Sequence, residues 1–383
     1  MAKPTIEIRL AICRFMMCNS LRVKRVLIVI KHDGIGGVER GVADLLDAFG
    51  SEHVACDVVA LSAPSSEAPG LLAGRGVTVL GSWAKRGPLR RLSQLRQLRA
   101  LTRKTACDAV LAFGPSPNAL ASLLAARDVV TVITEVGNPF IPRRRVWNAA
   151  MMWAYRRADV LVVLTEELAE LMRARRLGPS RIAVIPSALG PGVSLAAPSP
   201  SRPPVIISVG RLVPSKRVAD LVAAFAPLAA RFPEWSLTIV GDGPERATLE
   251  AQVQQLGLGE RVVFAGFVTD PWRMMARASI FVLTSAHEGF PRVLIEAMAS
   301  GCALVSSDCR FGPRAILHDG ELGRLFPVGD VTLLTAHLEG LMGNAESRRA
   351  LSARAHAAAG EFQTSNVAQQ WLTLLASLAD RRR

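Results

Sequence analysis

Aromatic side chains are scarce in this sequence: Phe, Trp and Tyr make up 5% of 383 residues, and there is one tyrosine. A nucleic-acid groove built on stacked aromatics has little to draw on. Cysteine is scarce too. Cys13, Cys18, Cys56, Cys107, Cys302 and Cys309 form no Cys-x-x-Cys pair. That spacing argues against a zinc module, so the thiols read as small apolar residues in a reducing compartment. No run of ~18 apolar residues occurs, which argues against a membrane-spanning helix. There is no P-loop, no His-Glu-x-x-His and no Gly-x-Ser-x-Gly. Gly34-Ile35-Gly36-Gly37 carries Glu39 where a dinucleotide fingerprint needs its third glycine, and Gly241-Asp242-Gly243 fails likewise at Arg246. Hydride transfer and serine hydrolysis are disfavoured.

Acidic residues are also few. The chain has 46 Lys and Arg against 32 Asp and Glu, a net +14. Residues 1–200 hold 27 of the bases and 15 of the acids, so +12 lies there and +2 in the rest. Such an asymmetry points the first half at something anionic, either nucleic acid or an acidic membrane surface. An Arg-rich coding bias accounts for the magnitude but less well for the asymmetry.

Half the residues are apolar, enough for a core in each of two domains. Short apolar runs at 26–30, 54–61, 77–80, 109–113, 129–134, 160–164 and 182–185 alternate with helical or loop segments. After a Pro/Ser/Gly-rich stretch the series resumes at 205–209, 237–240, 262–264, 280–283 and 303–306. Continuous apolar strands separated by helices predict parallel sheets covered on both faces. The expected architecture is α/β: two doubly wound Rossmann-like domains facing each other across a cleft. Their expected bounds are 21–190 and 205–362, with a linker at 191–204 and a C-terminal helical segment, 363–383, returning to the first domain. Residues 1–20 read as an N-terminal extension, because Arg9 and Arg14 interrupt any signal-peptide core.

Three features carry chemistry. Ser208-Val209-Gly210-Arg211 follows a strand, with Lys216-Arg217 opening a helix. Gly210 permits a sharp turn, and Arg211 and Lys216 offer a fork and a point charge to a diphosphate. Alone, solvated surface charges would explain them. Glu288-Gly289-Phe290-Pro291 leads into a helix bearing Glu296. Pro291 fits a first helical turn, whose free N–H groups form an anion site. Glu296 follows Glu288 by eight residues, about 12 Å of helical rise, so a diphosphate on the helix start has a carboxylate on each side. The plainer alternative is a capping glutamate and a core glutamate. Third, Gly36-Gly37-Val38-Glu39-Arg40 closes the first strand with two glycines, where a simple turn needs one.

These segments resemble glycosyltransferase family 4: Gly-Gly-Val-Glu-Arg, Val-Gly-Arg-Leu-x-x-x-Lys-Arg, Gly-Asp-Gly-Pro-Glu, Glu-Gly-Phe-Pro-x-x-x-x-Glu-Ala-Met-Ala-x-Gly and Gly-Pro-Arg at 312–314. The resemblance spans about residues 24–345. It implies the GT-B fold and a retaining, nucleotide-sugar-dependent transferase. Carried over by position, Glu288 contacts the donor sugar as the catalytic candidate. Arg211 and Lys216, after Gly210, hold the diphosphate, and Glu296 holds the ribose hydroxyls. Gly289, Phe290 and Pro291 line the sugar and phosphates, Phe267 and Val268 lie near the base, and Gly36 and Gly37 touch the donor from the first domain. Three departures stand out: Ala315 replaces a family Glu, Ile185-Pro186-Ser187-Ala188 replaces Ile-Pro-Asn-Gly, and Thr134-Glu135-Val136-Gly137-Asn138-Pro139 lacks a family His. Glu135 and Asn138 are the acceptor-side candidates.

In the basic half, residues 85–104 carry eight Lys and Arg and no acid, with leucines that wind around the helix. Arg143, Arg144 and Arg145, with Arg156 and Arg157, bracket an apolar segment containing Trp147 and Trp153. That segment is either buried or seated at a membrane interface with its arginines at the headgroups. The expectation is a cytoplasmic enzyme, peripheral at the inner face of the membrane. It moves a hexose or N-acetylhexosamine from a UDP-sugar, or another nucleoside diphosphate sugar, to a lipid-linked or cell-envelope saccharide. The resemblance implies that no metal is needed, and no Asp-x-Asp is present to hold one; no other cofactor and no nucleic-acid partner are expected. The rivals are a nucleic-acid-binding module using the basic half and a sugar-nucleotide epimerase of the same fold.

Overall fold

The structure is a computed structural model describing residues 23–31, 37–62, 72, 74–81, 88–124, 129–137, 145–190, 192–193, 195 and 201–380; the side chains of 88 and 145–149 lie outside it. Seven parallel strands form the first sheet: β1 (Arg25–Ile30), β2 (Ala55–Ala60), β3 (Thr78–Val79), β4 (Ala109–Phe113), β5 (Val130–Glu135), β6 (Val160–Val163) and β7 (Ile182–Val184). Their order is β3-β2-β1-β4-β5-β6-β7. Chain reversal occurs at β1, so the switch point lies between β1 and β4, where such sheets bind ligands at their C-terminal edge. The central strands β1, β4, β5 and β6 are buried over nearly their whole length because both faces are covered, while β3 at one edge is exposed and β7 at the other is half-buried. Helices α1 (Gly37–Ser51), α2 (Pro88–Thr105), α3 (Pro115–Ser122), α4 (Arg145–Tyr155) and α5 (Glu166–Ala174) supply much of that cover. On one face, α1 packs on β1, β2 and β4 through Val42, Leu45 and Phe49. On the other, α2 to α5 share one apolar cluster that includes Leu98, Leu120, Met151, Tyr155 and Leu168.

The second sheet holds β8 (Val205–Val209), β9 (Ser236–Val240), β10 (Val262–Gly266), β11 (Ile280–Leu283), β12 (Ala303–Ser307) and β13 (Arg324–Phe326), ordered β10-β9-β8-β11-β12-β13. Strand β13 is absent from the sequence reading. It is a three-residue edge strand opening on an arginine, too short for a periodic signal. Helices α6 (Val218–Ala229), α7 (Arg246–Gln255), α8 (Pro271–Met275), α9 (Arg292–Ala299), α10 (Pro313–Ile316), α11 (Val331–Gly343) and α12 (Ala345–Ala358) surround it. Lys216 ends a separate 3-10 turn, Pro214–Lys216, and Arg217 turns left-handed (φ 50°) before α6, so the helix starts two residues later than the charge pair suggests. Pro291 caps α9 from outside its first turn.

The last helix, α13 (Thr364–Ala379), leaves the second domain and buries Val367, Trp371, Leu372 and Leu375 beside β1, β4 and α1. The chain therefore passes between domains twice. The crossings are tied together where Leu189 N donates to Phe362 O (2.7 Å) and Thr364 Oγ1 donates to Leu189 O (2.8 Å).

A third tie comes from Phe311. It sits on the loop after β12 with a left-handed φ of 65°, a conformation that costs a side chain energy unless its surroundings fix it. The ring is 1% exposed and belongs to the apolar cluster of the first domain, while neighbouring Arg310 lies 3.9 Å from Glu167 on α5. Phe311→Ala should lose ~3–5 kcal/mol of stability in urea unfolding, as buried Phe deletions do. A loss under ~1 kcal/mol would mean that the ring merely rests on the first domain.

Candidate active site

The C-terminal edges of the two sheets face each other across a cleft of about 840 Å³, within the range of small-molecule sites. The cleft floor is local backbone chemistry. Gly210 N donates to Val240 O and Gly241 N to Gly266 O, so the loops after β8, β9 and β10 are stitched together. Gly241 has φ +134°, and a Cβ there would lie 1.9 Å from Gly210 O. Only glycine lets these two loops touch.

The cleft brings together most of the residues singled out from sequence: Gly37, Gly210, Arg211, Lys216, Phe267, Val268, Glu288, Phe290, Pro291 and Glu296 all line it. Phe267 is exposed, as a platform for a planar ring would be. Arg211 is exposed and its side chain has no partner among the described residues. Lys216 differs: its Nζ donates to Glu288 Oε1 at 2.5 Å. The cation expected at the phosphates and the carboxylate expected at the sugar are thus one largely buried pair, which fixes the ammonium beside Glu288. Gly36 and Asn138 lie outside the described residues, as do Arg143 and Arg144, and so do the side chains of Arg145 and Trp147.

Gly289 lies between cleft-lining Glu288 and Phe290. A Cβ there would lie 2.6 Å from Val136 O and 2.8 Å from Gly137 Cα, so the glycine is also a close-approach point between the domains. One placement needs correction: Glu135 leaves the acceptor site. Along β5, Thr134 and Val136 face the cleft, and the residue between them points the other way by the two-residue period of a strand. There Glu135 is buried and accepts from Tyr155 Oη at 3.2 Å, and the same hydroxyl accepts from Asn118 Nδ2 at 3.1 Å. This network joins α3, α4 and β5 and is structural. The apolar stretch of α4 is likewise partly internal: Met151, Ala154 and Tyr155 are buried. Trp153 is 53% exposed, with the Arg157 guanidinium 3.5 Å over its ring.

Four charges inside the cleft form a set that spacing along either segment does not reveal. Arg40 and Asp44 lie one turn apart on α1, and Arg292 and Glu296 one turn apart on α9. They pair crosswise between the domains: Arg292 Nη2 donates to Asp44 Oδ2 at 2.5 Å, and Arg40 Nη1 lies 3.8 Å from Glu296 Oε1. Arg40 also stands 6.0 Å from the Trp272 ring centroid. Glu296 is 1% exposed, and its Oε2 is buried without a hydrogen-bond partner. Burial pushes its carboxyl above the usual range, opposed by Arg292 and then Arg40. Burial pushes Asp44 up as well, against the pull of Arg292. The sequence signal was Asp44 itself, a carboxylate on the apolar face of α1 between buried Ala43 and Leu45.

A family model described as Glycosyltransferase Family 4 matches residues 35–190, and one described as Glycosyl transferases group 1 matches residues 196–358. The chain belongs to glycosyltransferase family 4. It is 34% identical over 188 residues to a lipopolysaccharide 1,6-galactosyltransferase of Salmonella typhimurium, covering 47% of this chain and 52% of that protein. It is 33% identical over 230 residues to the lipopolysaccharide core biosynthesis glycosyltransferase LpsE of Rhizobium meliloti, covering 58% and 66%. The chain thus spans about half to two thirds of the length of these relatives. In structure it resembles Anabaena HepE in complex with UDP, with a TM-score of 0.79 at 20% identity over 92% of this chain and 100% of that one. It also resembles the galactosyltransferase WaaB in apo form, with a TM-score of 0.70 at 23% identity over 91% and 98%. The GT-B fold expected from sequence is the fold observed.

Glu296 provides a check on its own role. Its folded-state pKa is raised, so the charged form is disfavoured by folding. The associated stability is present at low pH and is lost as pH rises through the raised value. Glu296→Gln should therefore melt no lower than the parent at pH 8, the difference narrowing on acidification, while nucleotide binding falls. A variant that melts several degrees lower at pH 8 would make Glu296 a structural residue.

Proposed function

We propose that this chain is a retaining transferase that moves a hexose or N-acetylhexosamine from a UDP-sugar to a lipid-linked or cell-envelope saccharide. One observation carries the donor half of this reading. A buried carboxylate oxygen, Glu296 Oε2, lacks a partner, and the same cleft is lined by two cations, Arg211 and Lys216, and by the start of α9. A buried acceptor without a donor is costly, and ribose hydroxyls satisfy it. The diphosphate then rests on the start of α9 with Arg211 and Lys216, and the planar base lies by Phe267. Glu288, held by Lys216, offers its other oxygen to the sugar hydroxyls.

In this reading the protein acts through charge and position. Arg211, Lys216 and the α9 N-terminus stabilise the diphosphate as the glycosidic bond to it breaks. The acceptor hydroxyl attacks from the same face, and a donor phosphate oxygen takes its proton. No side-chain base is required, which accords with Glu135 facing away from the cleft. The UDP complex of HepE and the lipopolysaccharide enzymes among the relatives support the donor and acceptor classes.

Thermal shift and titration against UDP-, GDP- and ADP-sugars test the donor. UDP-sugars should bind, and Lys216→Ala should weaken them by ~1.5–3 kcal/mol, the worth of a charged hydrogen bond. Binding of none of the three, or equal binding by Lys216→Ala, would contradict the assignment.

The acceptor side points to an acidic membrane surface. Leu89 and Leu92 on α2 and Trp153 on α4 are 52%, 45% and 53% exposed. Both helices cover the same face of the first sheet, and α2 carries six arginines and lysines, Arg90, Arg91, Arg96, Arg99, Arg103 and Lys104. No helix among the described residues is long and apolar enough to cross a membrane, so the attachment proposed is peripheral. Basic residues near an anionic leaflet contribute ~1 kcal/mol each, screened by salt. The chain should co-sediment with phosphatidylglycerol vesicles at low salt, and Trp153→Ser with Leu89→Ser and Leu92→Ser should reduce this without changing UDP-sugar affinity. Equal sedimentation of parent and triple variant would place the acceptor in solution.

A further inference from the structure

The crossed charges join a helix of one domain to a helix of the other. Residue 40 meets 296 and residue 44 meets 292, so α1 and α9 pass in opposite senses, each presenting a cation and an anion one turn apart. The order of charges is Arg then Asp on α1 and Arg then Glu on α9. Each cation meets the other helix's carboxylate only when the helices run oppositely and the domains are closed. The two contacts are unequal. Asp44 and Arg292 are both buried and hydrogen-bonded, whereas Arg40 stands 3.8 Å from Glu296 Oε1, beyond hydrogen-bond distance, and Glu296 Oε2 has no partner. Arg292 Nη1 would meet a Cβ at Gly41 at 3.3 Å, so the small residue at 41 is what lets α1 come this near.

We propose that Arg40 and Asp44 of the first domain are positioning residues for the donor site of the second: Asp44 holds Arg292 to lock the domains closed, and Arg40 then completes the charge environment of the nucleoside carboxylate Glu296. This rests on the donor reading above and deepens it. Neither residue need touch the donor. Nucleotide affinity is thereby coupled to closure, because Glu296 is fully compensated only when α1 is seated on α9. An open chain binds UDP weakly, and UDP in turn favours the closed arrangement, as linkage requires.

The test is UDP titration by calorimetry on the full chain, with solution X-ray scattering to follow closure and melting curves to confirm folding. Arg40→Ala should weaken UDP about tenfold or more, as expected for removing a cation ~4 Å from a carboxylate. Arg40→Lys should recover most of the loss. Asp44→Asn and Arg292→Gln should each expand the particle and weaken UDP. The double exchange Asp44→Arg with Arg292→Asp, which keeps a cation opposite each carboxylate, should restore compactness and affinity relative to either single exchange. With steady-state assays, Arg40→Ala should raise KM more than it lowers kcat. Failure of the parent to bind UDP or any nucleoside diphosphate overturns the donor reading itself. A parent that binds UDP, with Arg40→Ala binding equally well or with the double exchange no better than the singles, overturns the coupling alone.

Discussion

Closure of the cleft depends on a buried ion pair, Asp44–Arg292, that neither domain can form by itself. Burying two charges is expensive, and the pair returns that cost only while both partners are present; removing one costs ~3–5 kcal/mol in comparable settings. The pair is consequently a poor source of stability but a strict condition on geometry. Around it the other contacts fall into place. The carbonyl of Val136 can sit against residue 289 because that residue is glycine. Phe311 reaches into the first domain, and the two crossing segments bind each other at Leu189. Each of these contacts requires the same closed arrangement, and together they bring Gly37 and Arg40 of one domain within the cleft that Arg211 and Glu296 line from the other.

The fold was legible because the strand runs are rich in apolar and β-branched residues and are set apart by helical and turn segments. Parallel sheets covered on both faces favour that pattern, and twelve of the thirteen strands among the described residues fall on such runs. The thirteenth, Arg324–Phe326, pairs with β12 at the sheet edge through three residues. Pattern reading needs more length than that. The donor residues were legible for a related reason: they follow strand ends, and the glycines there are demanded by backbone approach, as Gly241 against Gly210 shows.

What the sequence concealed is whatever depends on two distant segments meeting. Lys216 and Glu288 are 72 residues apart and each motif alone points to a separate contact with a ligand, yet they hold each other. Arg292 and Asp44 are 248 residues apart. Glu135 stood in a promising place, at a strand end beside the cleft, but the alternation of side chains turned it toward Tyr155. Gly289 sits inside the most informative motif, and the motif gives no sign that the same glycine also admits Val136 and Gly137 of the other domain. Motif spacing specifies residue types along one segment and is silent on which of them a second segment will claim.

The central claim is that one nucleoside diphosphate site is completed by both domains. Hydrogen exchange on the full chain, with and without saturating UDP, tests it most directly. The account predicts added protection in two places at once: amides at the start of α9 near 292–295, and amides of α1 from 40 to 44, which belong to the other domain. Protection confined to the second domain, or none in either, would contradict it.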